Sequence, residues 1–396
     1  MLKNIPVRQL RIGMYIHKLG GRWVDHPFLR KSFELTSVKD LQALLGSNAP
    51  EVEIDTDRGL DIDSAAPVKN TPAPVVVAAL KPPVAEPKAS YDQEIKRAKA
   101  IQAKAKIAVT SMFNEARMGN AIEVASVAPL VDEINGSLER NVGALLSIVR
   151  LKTADDYTYM HSVAVCGLMI ALGRVLGLEG EELRQVGLGG LLHDLGKISM
   201  PMEVLNKPGK LTDEEFATIK GHPRAGWKIL KKSNEVSETP LDICLHHHER
   251  VDGNGYPERI SGDALTLHAR MGAVCDVYDA ITSDRPYKAG WAPAESIKRM
   301  SEWCKGQFDE TVFKAFVKTM GIYPTGSLVK LKSGRLGVVT DQSEGSLLQP
   351  RVKVFFSLKS KEPLSVEIID LKRSQDAIAG LEDPAPWQAI MNKIAA

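Results

Sequence analysis

The chain has 396 residues, enough for two or three domains with cores of their own, and its 44% apolar and 25% charged content is that of an ordinary globular protein. Lys and Arg total 51 against 49 Asp and Glu, a formal charge of +2 that argues against nucleic acid as the main partner and leaves room only for a local basic pocket. The four cysteines are scattered without a CxxC pair and the N-terminus has no signal-like apolar run, so a cytoplasmic protein with free thiols and no membrane span is expected.

In chain order, residues 1–60 combine strand-like runs (Met14-Tyr15-Ile16, Val52-Glu53-Ile54) with one helix, "SVKDLQALLG", capped by Ser37 and Gly46. They read as a small α/β domain with a regulatory role. Residues 61–90 are rich in Pro and Ala without a period, which reads as a linker. From Tyr91 to about residue 325 the pattern is helical, beginning with a long Ala- and Lys-rich helix. Its narrow stripe (Ile95, Ile101, Ala108, Met112) suits packing on its own domain or on a second copy in a homodimer. Residues 326–396 alternate as strands to about 372, with a Ser-Gly turn signal, and end in a tail. The fold class is therefore mainly α: an all-helical domain preceded by a small α/β domain and followed by a small β-rich appendage.

Chemistry concentrates in the helical part. "LHHHERVDGNGYP" follows Pro240, a residue suited to a helix start. At about 100° per residue, His247 and His248 straddle the buried stripe of Leu241 and Cys244, while His246 faces outward. His161 shares a stripe with Val165, Leu168 and Leu172, and His193 follows Gly189 and Gly190, whose missing side chains let another helix come close. His222 sits between a helix opened by the capping box Thr212/Glu215 and one started by Pro223. Asp276 and Asp279 lie one turn apart. Any one of these is ordinarily a satisfied core residue or a cap. Five inward histidines and two inward carboxylates, however, are costly to bury without a compensating charge, and a divalent metal supplies one. The number of ligands favours two ions, with Asp194 able to bridge. With no evident Ser or Cys nucleophile, the set suits phosphoester hydrolysis by a water whose pKa falls from about 15.7 towards roughly 7 on metal. Arg285 and Lys288 in "SDRPYK" suit a phosphate diester, against the bland alternative of a solvated loop. Lys197 stands just past the His-Asp pair.

The motifs "YTYMHS", "HDLGK", "GHPRAG", "HHHERVDGNGYP" and "DVYDAITSDRPYK" together resemble the HD-GYP family of the HD phosphohydrolase superfamily, over about residues 91–325. The resemblance implies a metal-dependent cyclic di-GMP phosphodiesterase. One ion would be held by His161, His193, Asp194 and Asp276, the other by Asp194, His222, His247 and His248. Lys197, Arg285 and Lys288 would lie near the scissile phosphate, with Asp279 in support. Iron or manganese is implied first, zinc or nickel next. Some members bind a third metal through a glutamate one turn before the first histidine; Tyr157 stands there, which implies two ions and a product stopping at linear pGpG, with further cleavage to GMP the other outcome. The N-terminal segment is similar to a small domain found before HD-GYP domains. For the GYP loop a structural turn is expected ahead of a docking surface for a diguanylate cyclase or another signalling protein. Two rival readings are hydrolysis of another nucleotide and a low-turnover cyclic di-GMP sensor; the complete His-Asp set counts against the sensor.

Overall fold

Alternation builds the first sheet. In β4 (Glu51–Asp55) Val52 and Ile54 point inward between outward acidic residues, and Ile5 on β1 (Leu2–Pro6) pairs directly with Val52. With β2 (Tyr15–Leu19) and β3 (Phe33–Glu34) they form an antiparallel sheet in the order β1-β4-β2-β3. Its core gathers Ile5, Met14, Ile16, Leu35, Leu44, Val52 and Ile54. The computed structural model describes residues 2–19, 32–36, 41, 44–45, 51–61, 89–120, 122–150, 157–233, 235–284, 290–343, 345–387 and 389–391. Most of the helix expected between Ser37 and Gly46, nearly all of the 61–90 linker, Arg285 and Lys288 fall outside them; of that helix only 41 and 44–45 are described, and they are helical. The chain divides into two units, Met1–Ala85 and Glu86–Ala396.

The second unit opens with α1 (Tyr91–Arg117), a single 27-residue helix started by a reciprocal capping box of Ser90 and Gln93. It packs on α2 (Val124–Arg140) and α3 (Val142–Arg150) of its own unit. The buried stripe is Glu94, Ala98, Ile101, Ala105, Val109 and Met112, so Ile95 and Ala108, expected on it, are only half-buried. The cause is Glu94: Arg140 meets its carboxylate through two 2.9 Å hydrogen bonds and Ser137 Oγ donates a third, so a charge takes a core position.

The central helix is α4 (Tyr157–Leu176), long and apolar enough to cross a membrane by composition alone, yet 78% of that window is buried in the domain. Beside it runs α5 (Gly180–Leu192), leading into a 3-10 turn (Leu195–Ser199). A Cβ at Gly190 would stand 2.9 Å from the Cys166 backbone, and one at Gly189 would stand 2.3 Å from Ile243. Those two glycines therefore set α5 close against α4 and against the helix that carries Ile243. There follow α6 (Asp213–Ile219), with the expected Thr212/Glu215 box, and α7 (His222–Lys231). α8 (Glu238–His246) begins two residues before Pro240, which occupies its first turn. α9 (Leu267–Thr282), α10 (Pro293–Gln307) and α11 (Glu310–Met320) complete the helical domain.

The chain then turns to β5 (Leu328–Leu331), β6 (Arg335–Ser343), β7 (Ser346–Ser357), β8 (Glu362–Asp370) and β9 (Ile378–Leu381), an antiparallel sheet ordered β8-β7-β6-β5-β9. Gly334, at φ +86°, makes the expected Ser-Gly turn between β5 and β6. β9 is the difference: the segment expected as a tail returns to pair Gly380 with Lys330.

Candidate metal centre

The ends of four helices and the body of a fifth deliver the site. His161 comes from the first turns of α4, and His193 and Asp194 from the break between α5 and the 3-10 turn. His222 starts α7, His247 and His248 follow the last residue of α8, and Asp276 and Asp279 sit mid-α9. Close backbone approach fixes two of these elements together. A Cβ at Gly196 would lie 1.9 Å from His222 O and 2.4 Å from Gly226 N, so only glycine lets the 3-10 turn lie on α7.

The side chains converge. His161 Nε2 lies 2.9 Å from Asp276 Oδ1, 3.3 Å from His193 Nε2 and 3.4 Å from Asp194 Oδ2. On the other side His222 Nε2 lies 3.3 Å from both His247 Nε2 and Asp194 Oδ1, with His247 Nε2 at 4.0 Å from that oxygen. His248 Nδ1 stands 3.7 Å from Asp276 Oδ2. The two oxygens of Asp194 thus face opposite groups of histidines. Three overlapping groups have donor atoms within 4.8 Å of one another: His161, His193 and Asp276; His193, Asp194 and His247; His222, His247 and His248.

The hydrogen bonds behind the rings fix what each presents. Nδ1 of His193, His222 and His247 faces the carbonyl oxygens of Gly190 (2.8 Å), Ile219 (2.8 Å) and Cys244 (3.0 Å), and Nδ1 of His161 faces Asp279 Oδ2 at 2.6 Å. Carbonyl and carboxylate oxygens only accept, so each Nδ1 carries a proton and each Nε2, in the neutral ring that a metal binds, has a lone pair. Four lone pairs and the carboxylates of Asp194 and Asp276 then aim at one buried volume, and Asp194 Oδ1 has no hydrogen-bond partner. Nitrogen lone pairs 3.3 Å apart repel unless an electrophile lies between them, so a divalent cation fits the donor set.

Electrostatics agree. Burial opposes ionisation of Asp194, but Lys197 and His193 beside it hold its carboxyl well below the usual range; Lys197 Nζ is 2.5 Å from Oδ2. Asp276 is likewise held low, its hydrogen bonds to His161 and His193 overcoming burial. Burial pushes His248 down to about 3, and burial with the neighbouring rings takes His247 well below its ordinary value. His193 goes the other way: Asp194 and Asp276 overcome burial and push it up to about 10. The centre without an ion therefore balances part of its charge with a proton.

His246 stands apart from this group, hydrogen-bonded to Asp242 at 2.7 Å. The Tyr157 side chain, like Arg285 and Lys288, is outside the described residues. The segment bearing those two cations leaves and rejoins beside the end of α9, where Gly290 N donates to Asp284 Oδ1 and Trp291 N to Ile281 O.

Two residues escaped the sequence reading. Glu249 is buried, and its Oε1 accepts from the backbone N–H of Glu258 (2.6 Å) and Arg259 (2.8 Å), pinning the GYP loop from within. Tyr256 stacks on His248 with ring centroids 4.7 Å apart, beside a cavity of about 230 Å³ also walled by Phe216 and Lys220. Position in the quoted motif was their only signal: Glu249 directly follows the histidines. Of the loop glycines, Gly253 adopts φ +75°, whereas Gly255 is needed for close approach, since a Cβ there would stand 2.5 Å from Glu249 Cα.

An all-helical domain that gathers five imidazoles and paired carboxylates around a buried centre defines the class of HD-type metallohydrolases. Residues 147–312 match the HD domain, and residues 2–127 match a domain described only as of unknown function. The chain is similar to a cyclic di-GMP phosphodiesterase of Pseudomonas aeruginosa, 54% identical over 98% of this chain and 94% of that protein. A cyclic di-GMP phosphodiesterase response regulator of Xanthomonas campestris is 50% identical over 44% of this chain and 50% of its own length. A 3'3'-cGAMP-specific phosphodiesterase of Vibrio cholerae is 35% identical over 46% and 42%. The chain belongs to the HD-GYP family of cyclic di-GMP phosphodiesterases.

Proposed function

We propose that this protein hydrolyses the 3'-5' phosphodiester of cyclic di-GMP at a centre of two divalent ions, releasing linear pGpG. One observation carries the reading: four rings locked as Nδ1 donors turn their free Nε2 lone pairs on two carboxylates, one of which, Asp194, faces both sets of rings. His161, His193, Asp194 and Asp276 would hold one ion and Asp194, His222, His247 and His248 the other, with iron or manganese as the ions. When bound, the ions supply Lewis acidity and a water acidic enough to act as nucleophile near neutral pH.

The chain's own residues do the rest. Asp279 holds the His161 ring with its Nε2 inward, and the carbonyls behind His193, His222 and His247 do the same for theirs. Lys197, ion-paired with Asp194, can turn its ammonium to a non-bridging phosphate oxygen. Arg285 and Lys288 would neutralise the diester from the segment after α9. Tyr256, stacked on His248, shields one side of the centre from water. The GYP loop is first a structural element that holds this tyrosine.

The test is to incubate the iron- or manganese-loaded protein anaerobically with cyclic di-GMP, 3'3'-cGAMP and bis(p-nitrophenyl) phosphate and to chromatograph the products. Conversion of cyclic di-GMP to pGpG supports the reading. Faster conversion of 3'3'-cGAMP would move the substrate to the other cyclic dinucleotide, and tight binding without turnover of any diester would make the protein a sensor.

A further inference from the structure

The sequence sets three histidines side by side, and the metal centre uses two. The third ring, His246, occupies the last position of α8 and turns away from the centre. Its Nδ1 lies 2.7 Å from Asp242 Oδ1, one turn earlier, and its Nε2 lies 3.4 Å from Glu258 Oε2, just past the GYP sequence. Each of those carboxylates has a second tie. Glu258 Oε1 accepts from Arg224 Nη2 at 2.8 Å, two residues along α7 from His222. Asp242 Oδ2 accepts from the hydroxyl of Thr266, which also caps α9 by accepting from Ala269 N at 3.0 Å. His246 is thus the central member of a chain Arg224–Glu258–His246–Asp242–Thr266. That chain joins α7, the GYP loop, α8 and α9, and every one of those elements carries a side chain of the site: His222, Tyr256, His247 with His248, and Asp276.

We propose that His246 is a positioning residue, a strut that fixes the GYP loop, and with it Tyr256, against the histidine end of α8; this inference rests on the phosphodiesterase reading above. The loop is gripped twice. From inside, Glu249 Oε1 holds the backbone N–H groups of Glu258 and Arg259. From outside, His246 and Arg224 hold the Glu258 side chain. The inner grip fixes the height of the chain; the outer one fixes its slide along α8, because among the described residues it is His246 that links Glu258 to that helix's own surface at Asp242. With a proton on each nitrogen the ring donates to both carboxylates at once, Nδ1 to Asp242 and Nε2 to Glu258, which a one-ended donor cannot do. Loss of the strut frees the loop to slide, and Tyr256 loses register over His248 while the ligand rings keep their own backbone hydrogen bonds.

The experiment is a double-mutant cycle on the full-length, metal-loaded protein with His246→Ala, Glu258→Ala and the double variant, reading metal content, thermal midpoint, kcat and KM for cyclic di-GMP. His246→Ala is expected to keep its metal and to lose about 10- to 100-fold in kcat/KM, the range of residues that orient a metal site's groups. The double variant should lose no more than Glu258→Ala alone, because the two act through one contact. If His246→Ala folds poorly, His246→Gln, which keeps one of the two links, gives the second reading and should fall between wild type and alanine. Additive losses, an unchanged kcat/KM per metal-loaded molecule, or metal lost together with activity would each overturn the strut. A wild-type protein that cleaves no diester would instead sink the enzymatic reading, so the two failures are distinct.

Discussion

Replacing Gly196 with alanine tests whether backbone packing sets the two halves of the centre opposite one another. The added Cβ would lie 1.9 Å from His222 O and 2.4 Å from Gly226 N, both backbone atoms that cannot rotate aside. Ordinary contact begins at 3.4 Å, so the 3-10 turn and α7 must part by about 1.5 Å. Asp194 and Lys197 ride on one element and His222 on the other, so the 3.3 Å separation of His222 Nε2 and Asp194 Oδ1 must lengthen. Overpacking of this kind costs about 1–3 kcal/mol, and a misplacement near 1 Å costs on the order of 100-fold in rate. Gly196→Ala is therefore expected to melt several degrees lower, to bind less metal and to hydrolyse cyclic di-GMP at about 1% of the wild-type rate or less. Gly380→Ala serves as the control, because a Cβ there meets nothing within 4 Å. If Gly196→Ala keeps full metal and full rate, the close approach does not set the geometry, and the argument from packing to site fails.

Asp194→Ala should abolish turnover and strip most of the bound metal, because its two oxygens face both groups of rings; a variant that retained two ions on metal analysis would contradict this. Asp279→Leu removes the acceptor that holds His161 Nδ1 at 2.6 Å, and metal affinity should fall about 10- to 100-fold in a competition titration; an unchanged affinity would show that the ring needs no orienting partner. Glu249→Ala strands two backbone N–H groups of the GYP loop, so denaturant unfolding should show a loss of about 2 kcal/mol with a raised KM, and the absence of both changes would refute the inner grip. In the ion-free protein His193 is pushed up to about 10, so below that pH the ring is protonated and metal must displace the proton. Metal binding should then release a proton and weaken about tenfold per unit as pH falls from 8 to 6; binding without proton release, read with an indicator dye, would contradict it.

Elements with a simple period were legible in the residues. α1 appears as one helix from Ser90, and β5 to β8 follow the alternation that begins near residue 328. The inward direction of His161, His193, Asp276 and the last two rings of the triple histidine followed from helical geometry, and the structure buries or half-buries each of them. What the sequence concealed has a common cause. Glu94 enters the face of α1 because Arg140, 46 residues away, neutralises it, and Glu249 goes inside because two backbone N–H groups meet it. β9 has little apolar periodicity of its own and gains its strand from pairing with Lys330. Each is decided by a distant partner, which no local pattern announces.

The same reasoning explains why three histidines in a row do not mean three ligands. Successive helical residues point about 100° apart, so one centre can collect at most a pair of them, and the proposed pair stands where the helix ends, His247 at the cap and His248 beyond it. Leaving the helix frees His248 to present Nδ1, while His247, still tied to the Cys244 carbonyl, presents Nε2. A helix continued past His246 would hold His248 at a fixed step of about 100° from His247 and remove that freedom. Extending α8, through helix-favouring replacements at Asp252 and Gly253, should therefore cost the protein the His222-side ion before the other, a loss that metal stoichiometry would report as one ion remaining per chain; retention of both would show that the helix end does not set the ligand pair.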